Sequence, residues 1–166
     1  MPRAWEIAKF YRSQGVATIA SGWHAHYCPA ETLDHDIDLV VHGDGDPVIQ
    51  KIFDNFARKD YLWKDVPGVS YVAKNSNGAI LHNTANLRSV AQIPDMDDKL
   101  IVLRNQSKHL DTLPYPDFSQ VLFARIKVYP VIRIRGCSKN CEFCSVRGKP
   151  CWASPLHLLR TVDRLV

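Results

Sequence analysis

Three cysteines lie close together toward the end of the sequence and provide its clearest chemical signal. Cys137, Cys141 and Cys144 follow the spacing CxxxCxxC. Thiolate sulfurs are soft ligands, and three of them can hold three irons of a cubane cluster while leaving the fourth iron open. Because an open iron can bind a further molecule, this spacing predicts a site that does chemistry rather than one that only carries electrons.

Two other kinds of metal site remain open on spacing alone. A structural zinc site or a four-cysteine iron–sulfur cluster needs a fourth ligand, for which Cys151 or one of the histidines is available. A disulfide framework is disfavoured, because five cysteines are an odd number and four of them fall within fifteen residues. The residues therefore indicate a metal centre without fixing the number of thiolates.

The cysteine spacing, with the aromatic Phe143 directly before the third cysteine, resembles the signature of the radical S-adenosylmethionine superfamily. The resemblance implies that Cys137, Cys141 and Cys144 hold a 4Fe–4S cluster whose fourth iron chelates S-adenosylmethionine, with Phe143 beside the adenine. It also implies that one electron enters the sulfonium and releases methionine and a 5′-deoxyadenosyl radical, which abstracts hydrogen from a small-molecule substrate. Cys151 falls outside the motif and is expected to be a spare thiol.

Charge is distributed unevenly along the 166 residues. Residues 125–166 contain nine Lys or Arg and two acids, a net charge of +7, whereas residues 1–124 contain twelve and fifteen, a net charge of −3. A basic segment around a cluster suits an anionic substrate or an acidic electron donor of the flavodoxin or ferredoxin type, although a solvated face explains it equally. Nucleic-acid binding is not expected, because no series of stacking aromatic residues is interleaved with the basic ones.

The sequence lacks the features of a membrane or exported protein. No stretch approaches the roughly 20 consecutive apolar residues of a membrane span, and the N-terminus lacks the apolar centre of a signal peptide. We therefore expect a cytoplasmic protein without a membrane partner, in a compartment where thiols stay reduced.

Helices and strands alternate in the first third of the chain, which predicts an α/β fold with a parallel sheet. Hydrophobic spacing, proline and capping residues indicate these elements. In chain order they are a helix at residues 4–13, a strand at 16–20, a helix beginning at Pro29, a strand at 37–41 and a helix beginning at Asp46-Pro47.

Two glycine-containing loops follow the two predicted strands. The first contains Ser21-Gly22 and the second contains Gly43-Asp44-Gly45. Ligands bind parallel sheets beyond the carboxyl ends of the strands, so the two loops are predicted to share one site. Neither loop has the spacing of a phosphate-binding motif. His24 and His26 in the first loop are interpreted as loop residues, since two histidines alone do not make a metal site.

The first 66 residues carry a second resemblance. Ser21-Gly22-Trp23-His24-Ala25, then Pro29-Ala30-Glu31, a strand and Gly43-Asp44-Gly45-Asp46 are similar to the closing half of the cobalamin-binding domain that precedes the radical core in many radical enzymes. The resemblance implies a Rossmann-like fold, with Ser21, Gly22, Gly43 and Gly45 near cobalamin. Ser21 stands where family members commonly have glycine. The domain's first strands have no counterpart here, so we expect only its C-terminal half.

We expect three segments along the chain. Residues 1–66 form the cobalamin-binding-like part, and residues 67–118 contain a β-hairpin around 75–78 followed by a proline-rich linker at 113–118. Residues 119–166 begin the radical core with an apolar strand at 131–134, the cysteine loop and a helix capped by Ser154-Pro155. By the resemblance, this segment is the first βα unit of a partial (β/α) barrel, and the chain is a fragment of the whole enzyme.

Three functions therefore compete. The first is a radical S-adenosylmethionine enzyme, associated with cobalamin and catalysing methyl transfer or a rearrangement. The second is a non-enzymatic module in which Cys151 completes a zinc or four-cysteine iron–sulfur site with the three clustered cysteines. The third, which rests on the first half of the chain, is a carrier of cobalamin or a nucleotide.

Overall fold

The computed structural model describes residues 2–60, 63–72, 80–83, 90–92, 101–103, 107–120, 128–139, 141–144 and 148–164. Contacts divide the chain into two compact units, Met1–Gln106 (unit 1) and Ser107–Val166 (unit 2). The segment limits predicted from the sequence, after residues 66 and 118, stay a prediction.

Unit 1 alternates helices and strands before it continues as strands alone. Its elements are α1 Pro2–Ser13, β1 Ile19–Ala20, α2 Trp23–Tyr27, α3 Pro29–Asp34, β2 Leu39–Val41, α4 Ile49–Arg58, β3 Val69–Val72, β4 Ile80–Asn83, β5 Val90–Gln92 and β6 Ile101–Leu103. The first four strands form one sheet in the order β1-β2-β3-β4, and β5 pairs with β6 separately.

The main sheet is mixed rather than parallel throughout. Strands β1 and β2 are parallel, with Ile19 opposite Leu39, as the α/β pattern predicts. Strand β3 runs antiparallel to β2, with Val40 opposite Ser70, and β4 runs antiparallel to β3. The β3–β4 pair occupies the region of the predicted hairpin, while the turn expected at 75–78 lies outside the described residues. The α/β class is therefore confirmed, with two antiparallel strands extending the parallel pair.

Strand β2 forms the centre of the core, because all three of its side chains are buried. Leu39 and Val41 point to one face and pack in a cluster with Ile52 of α4. Val40 points to the opposite face, where it packs with Ala8, Ala25, Leu33 and Ile37, contributed by the helices and the loop on that side. The sheet therefore has helices on both faces.

Local signals place most helix ends as predicted, with two differences. Pro29 occupies the first turn of α3, as expected. Helix α4 begins at Ile49 and not at Asp46-Pro47, because a turn comes first in which the N–H groups of Val48 and Ile49 donate to the carbonyl of Gly45 at 3.0 and 2.9 Å. Helix α2 forms where the sequence predicted only a loop.

Unit 2 contains a β-hairpin followed by a helix. Its elements are two 3₁₀ turns, Leu110–Thr112 and Phe118–Gln120, then β7 Ile134–Cys137, β8 Gly148–Trp152 and α5 Pro155–Asp163. Ser154 caps α5 as predicted, accepting a hydrogen bond from the His157 N–H at 3.1 Å. Strand β8 was not predicted, since the pattern indicated that the cysteine loop leads directly to a helix.

The apolar stripe predicted for α5 is only partly correct. Thr161 is the fully buried residue of this helix, while Leu159 and Val162 are exposed. The last two stripe residues, 165 and 166, lie outside the described part. No helix in that part has both the length and the apolar character needed to cross a membrane.

Two isoleucines of α4 provide a matched test of this core. Ile52 is 0% exposed and Ile49 is 40% exposed. Replacing Ile52 by Ala removes carbon atoms from the close-packed cluster between α4 and β2. It should lower the free energy of unfolding by about 2–5 kcal/mol. Ile49→Ala should cost about 1 kcal/mol or less, since part of its surface is already hydrated. Urea titrations of both variants measure the difference, and equal losses would contradict the proposed packing.

Candidate functional site

Strands β7 and β8 position the three clustered cysteines. The strands pair antiparallel with Arg135 opposite Cys151 and Cys137 opposite Gly148, and a bulge separates the two pairs. Gly136 lies in this bulge with a φ of 82°, where an added Cβ would sit 3.0 Å from the Lys149 carbonyl oxygen. Only glycine fits this close approach without strain. The bulge therefore lies within β7, directly before Cys137, the first cysteine of the loop.

The cysteine loop connects the two strands and faces solvent. Cys137 and Cys144 are half-buried and Cys141 is exposed. The Cys144 N–H donates to the Cys141 carbonyl at 3.1 Å, which closes a tight turn. Phe143 lies within this turn and is 94% exposed. We call residues 137–144 the cysteine tip; residue 140 lies outside the described part.

Cys151 has a different environment from the cysteines of the tip. It is buried in a cluster with Leu110 and Ala153. Its Sγ donates a hydrogen bond to the Lys108 carbonyl oxygen at 3.1 Å. As a metal ligand, Cys151 would have to lose both its proton and this bond. The donor set of the tip is therefore three thiols, which suits a three-thiolate cluster better than a four-cysteine site.

The segment that precedes the hairpin in sequence holds its base. Arg135 Nη1 donates to Ser107 Oγ at 3.2 Å, and the Ser154 N–H donates to Asp111 Oδ1 at 2.7 Å. This N–H is the main cause that holds the pKa of Asp111 below its usual value, with the Ser154 side chain adding to it. These bonds anchor both ends of the hairpin and the start of α5.

The ends of β1 and β2 bring the two glycine loops together. Ser21 Oγ lies 3.2 Å from the Val41 carbonyl oxygen and 3.5 Å from that of Gly43, and it donates toward both. A Cβ added at Gly22 or Gly45 would meet nothing within 4 Å. The loops therefore border open space beyond the carboxyl ends of the parallel strands.

A buried chain of polar side chains lies beside these loops. His26 Nδ1 is 3.1 Å from His42 Nδ1, and His42 Nε2 is hydrogen-bonded to Ser70 Oγ. All three residues are almost fully buried. Since one nitrogen of each neutral imidazole donates and the other accepts, either direction of donation along the chain is compatible with two neutral rings. The sequence analysis missed His42, although a polar residue directly after a buried strand is a usable signal.

Ligand atoms suited to a single metal ion converge elsewhere in unit 1. Among the described residues, one set of three His, Cys, Asp or Glu side chains has its ligand atoms within 4.8 Å of one another, namely His24, Cys28 and Glu31. The thiols of the cysteine tip do not converge to this extent. Thiolates that hold separate irons of a cluster need not converge as the ligands of one ion must. The sequence pattern does not reveal this trio, because it predicts a loop where α2 forms and so does not place His24, Cys28 and Glu31 together.

A cavity of unit 1 lies at the opposite end of the sheet from these residues. It has a volume of about 460 Å³ and is lined by residues that precede β1 and β2, among them Val16, Ala17 and Ile37. Arg12 and Asp38 in its wall form an ion pair at 3.3 Å. The cavity is therefore separate from the glycine loops, which the sequence predicts to share a ligand site.

The comparisons with known proteins give no relatives. No protein-family model, curated protein or solved structure matches this chain. Function therefore has to be argued from the residues and geometry described above.

Acid titration tests the anchor of the hairpin. A carboxyl whose pKa is lowered by folding stabilises the protein above its unfolded value, here 3.8, and this stabilisation disappears as the pH falls through the folded value. Asp111→Asn keeps an oxygen acceptor for the Ser154 N–H but cannot titrate. The melting temperature of this variant should therefore fall less steeply than that of the wild type between about pH 4 and pH 2.

The exposed Asp163 of α5 supplies the control, because Asp163→Asn removes one acidic charge without touching the hairpin. Melting curves recorded by circular dichroism across this pH range give the slopes. Parallel slopes for the wild type and Asp111→Asn would contradict the role of Asp111 as an anchor.

Proposed function

We propose that the chain belongs to a radical S-adenosylmethionine enzyme in which Cys137, Cys141 and Cys144 hold a 4Fe–4S cluster. The observation that carries the proposal is the contrast between the cysteines of unit 2. Three lie on a solvent-facing tip with the spacing CxxxCxxC, while Cys151 is buried and donates a hydrogen bond to a backbone carbonyl. Three protein thiolates leave one iron without a protein ligand.

Exposure at the tip supports this assignment. A cofactor that binds the open iron has to approach from solvent, and Cys141 lies on the accessible side. Phe143, directly before the third cysteine, has its ring almost wholly in solvent. An aromatic ring in this position can stack on an adenine, which offers a flat π face.

The protein supplies position and charge for this chemistry. When bound, such a cluster delivers one electron to S-adenosylmethionine, releasing methionine and a 5′-deoxyadenosyl radical. The three thiolates hold the cluster, and the Gly136 bulge sets where the first of them stands. Lys139, within the tip, and Lys149, at the start of β8, are both exposed. Their positive charge suits an anionic substrate and an acidic flavodoxin- or ferredoxin-type electron donor.

The finer fold assignment is part of the same proposal. We assign unit 1 to a Rossmann-like, cobalamin-binding type of domain, and the β7-to-α5 region to the start of a partial (β/α) barrel. Support for the first comes from the parallel β1–β2 pair, with α2 and α3 in its crossover and helices on both faces of the sheet. The extra strand β8 between the tip and α5 departs from a simple βα unit.

Cobalamin is the second cofactor in the proposal. The specific support is the open space at Gly22 and Gly45, next to loops that Ser21 ties together. A corrin is a broad, flat group and needs backbone without side chains at its edge. The overall reaction would then be methyl transfer to an unactivated carbon or a rearrangement of a small molecule.

Anaerobic reconstitution with iron and sulfide tests the cluster. We expect a brown protein with about four irons per chain, whose electron paramagnetic resonance spectrum after reduction changes when S-adenosylmethionine is added. Cys141→Ala should lower the bound iron strongly, because it leaves two thiolates for the cluster. Cys151→Ala is the matched control and should keep the iron and the spectral change, since its thiol is engaged in the core.

Two outcomes would favour the non-enzymatic module instead. One is loss of the cluster in Cys151→Ala, and the other is tight zinc binding at the tip without iron. A reduced cluster whose spectrum does not change when S-adenosylmethionine is added would also contradict the proposal, since all its irons would then have protein ligands.

Hydroxocobalamin titration tests the second cofactor. Binding at the strand ends should shift the visible spectrum of the corrin and retain it with the protein on a desalting column. Gly45→Phe places a ring in the open space, and the backbone there allows a side chain because its φ is not left-handed. This variant should weaken binding by about tenfold or more, equivalent to about 1.4 kcal/mol. An unchanged spectrum for the wild type would remove cobalamin from the proposal.

A further inference from the structure

We infer that His24, Cys28 and Glu31 form a binding site for one zinc-type divalent cation. The site is built from unit 1 alone and uses none of the cysteines of the tip. It therefore goes beyond the proposed cluster chemistry and does not depend on it.

The distances suit a single ion. The three ligand atoms lie within 4.8 Å of one another, and His24 Nε2 is 3.3 Å from Glu31 Oε2. Around tetrahedral zinc, with bonds of about 2.0–2.3 Å, neighbouring ligand atoms are about 3.3–3.8 Å apart. The nitrogen and the oxygen already stand at this separation, so binding requires only a small movement of the Cys28 side chain.

The backbone fixes the three positions. His24 lies in α2, Cys28 lies between α2 and α3, and Glu31 lies in the first turn of α3. The Cys28 N–H donates to the His24 carbonyl at 2.8 Å, and the Cys28 carbonyl accepts from both the N–H and the hydroxyl of Thr32 at 3.0 and 2.8 Å. Thr32 is fully buried. The backbone that carries the three ligands is therefore fixed by the fold before an ion binds.

The imidazole of His24 gives an independent indication of a ligand. Its Nε2 is shielded from solvent and makes no hydrogen bond of normal geometry with the described residues, although Glu31 Oε2 is near. A buried polar atom left in this state costs free energy. A cation between His24 Nε2, the Cys28 thiolate and the Glu31 carboxylate would satisfy it.

Aromatic rings enclose one side of the site. Trp5 lies 5.9 Å from the His24 ring and stacks on His35 at 4.7 Å between ring centroids. His35 Nδ1 is in turn 2.7 Å from the Glu31 carbonyl oxygen. This layer limits the approach of water and supports the helix that carries Glu31. It also puts a fluorescent side chain next to the proposed ion.

The donor set decides the class of ion. One nitrogen, one sulfur and one oxygen suit zinc and its neighbours in the first transition series, whereas calcium and magnesium prefer oxygen alone. Three protein ligands leave a fourth position for water or a substrate atom, as in catalytic zinc sites. The competing interpretation is a metal-free ion pair between His24 and Glu31, with Cys28 uninvolved.

Cobalt binding separates these interpretations. The background variant contains all 166 residues and carries Cys137→Ser, Cys141→Ser and Cys144→Ser, so the tip has no thiol ligands. Titrating it with Co²⁺ under reducing, oxygen-free conditions should give a sulfur-to-cobalt charge-transfer band that saturates near one equivalent and disappears when Zn²⁺ is added. Quenching of tryptophan fluorescence should follow the same curve, because Trp5 borders the site.

Three further substitutions in this background assign the ligands. Cys28→Ser should abolish the charge-transfer band, and Cys151→Ser, the matched control, should leave it intact. Glu31→Gln should keep the band and weaken Co²⁺ binding by about tenfold to 100-fold, a loss that even residues around a metal site can cause. Glu31 is half-exposed, so this variant reports on binding even where the Cys28 change disturbs folding.

Two results would overturn the inference. Failure of the background variant to bind Co²⁺ while its circular dichroism matches that of the wild type would leave only the ion pair. A charge-transfer band that survives Cys28→Ser would assign the metal to another thiol. Because the tip cysteines are absent throughout, neither outcome bears on the proposed cluster, which is tested by iron content in the wild-type tip.

Discussion

Strand β2 has no solvent-facing side chain, because Leu39 and Val41 pack on one face of the sheet while Val40 packs on the other. A strand buried on both faces needs apolar cover on both, so helices must stand on each side and the connections between them must meet at the strand ends. Polar groups that end up there have to find partners inside the protein. The hydrogen bond from Ser21 to the end of β2 and the contact between the His26 and His42 rings satisfy polar groups in this way. The helices that carry His24 and Glu31 provide part of this cover, since residues of both pack on the Val40 face.

Unit 2 is arranged differently, because the strands of its hairpin are anchored while the loop that carries the thiols is not buried. Hydrogen bonds and packing concentrate at the base of the hairpin, where Cys151 is buried and Asp111 accepts from the start of α5. The cysteine tip contributes little to the core, so the interactions that stabilise the hairpin lie mostly at its base. This division explains how one hairpin contains a buried cysteine at its base and more exposed cysteines at its tip.

Features that depend on neighbours in sequence could be predicted, and those that depend on distant pairing could not. Pro29 at the start of α3 and Ser154 at the start of α5 act through their own backbone and caps, so their types reveal them. The later start of α4 arises because the Gly45 carbonyl captures the first N–H groups in a turn, a competition that the dipeptide Asp46-Pro47 does not reveal. Strand β8 forms by pairing with β7. Its lysine, proline and cysteine follow one another without the alternation of apolar and polar residues that would predict a strand. His42 and Ser70 meet only because β2 and β3 are neighbours.

The cysteines of the two units have different neighbouring donor atoms, and the metals proposed for them differ accordingly. At the cysteine tip three thiols supply soft donors, and such a set suits a cluster that brings its own sulfide bridges. Cys28 instead faces an imidazole nitrogen and a carboxylate oxygen on two short helices, and this mixed set converges on the space for one ion. A cluster needs several thiolates and cannot form on Cys28 alone, whereas the mixed donor set of His24, Cys28 and Glu31 suits a single zinc-type ion. Under the two proposals, the number of thiolates would therefore separate iron–sulfur assembly at the tip from single-ion binding in unit 1.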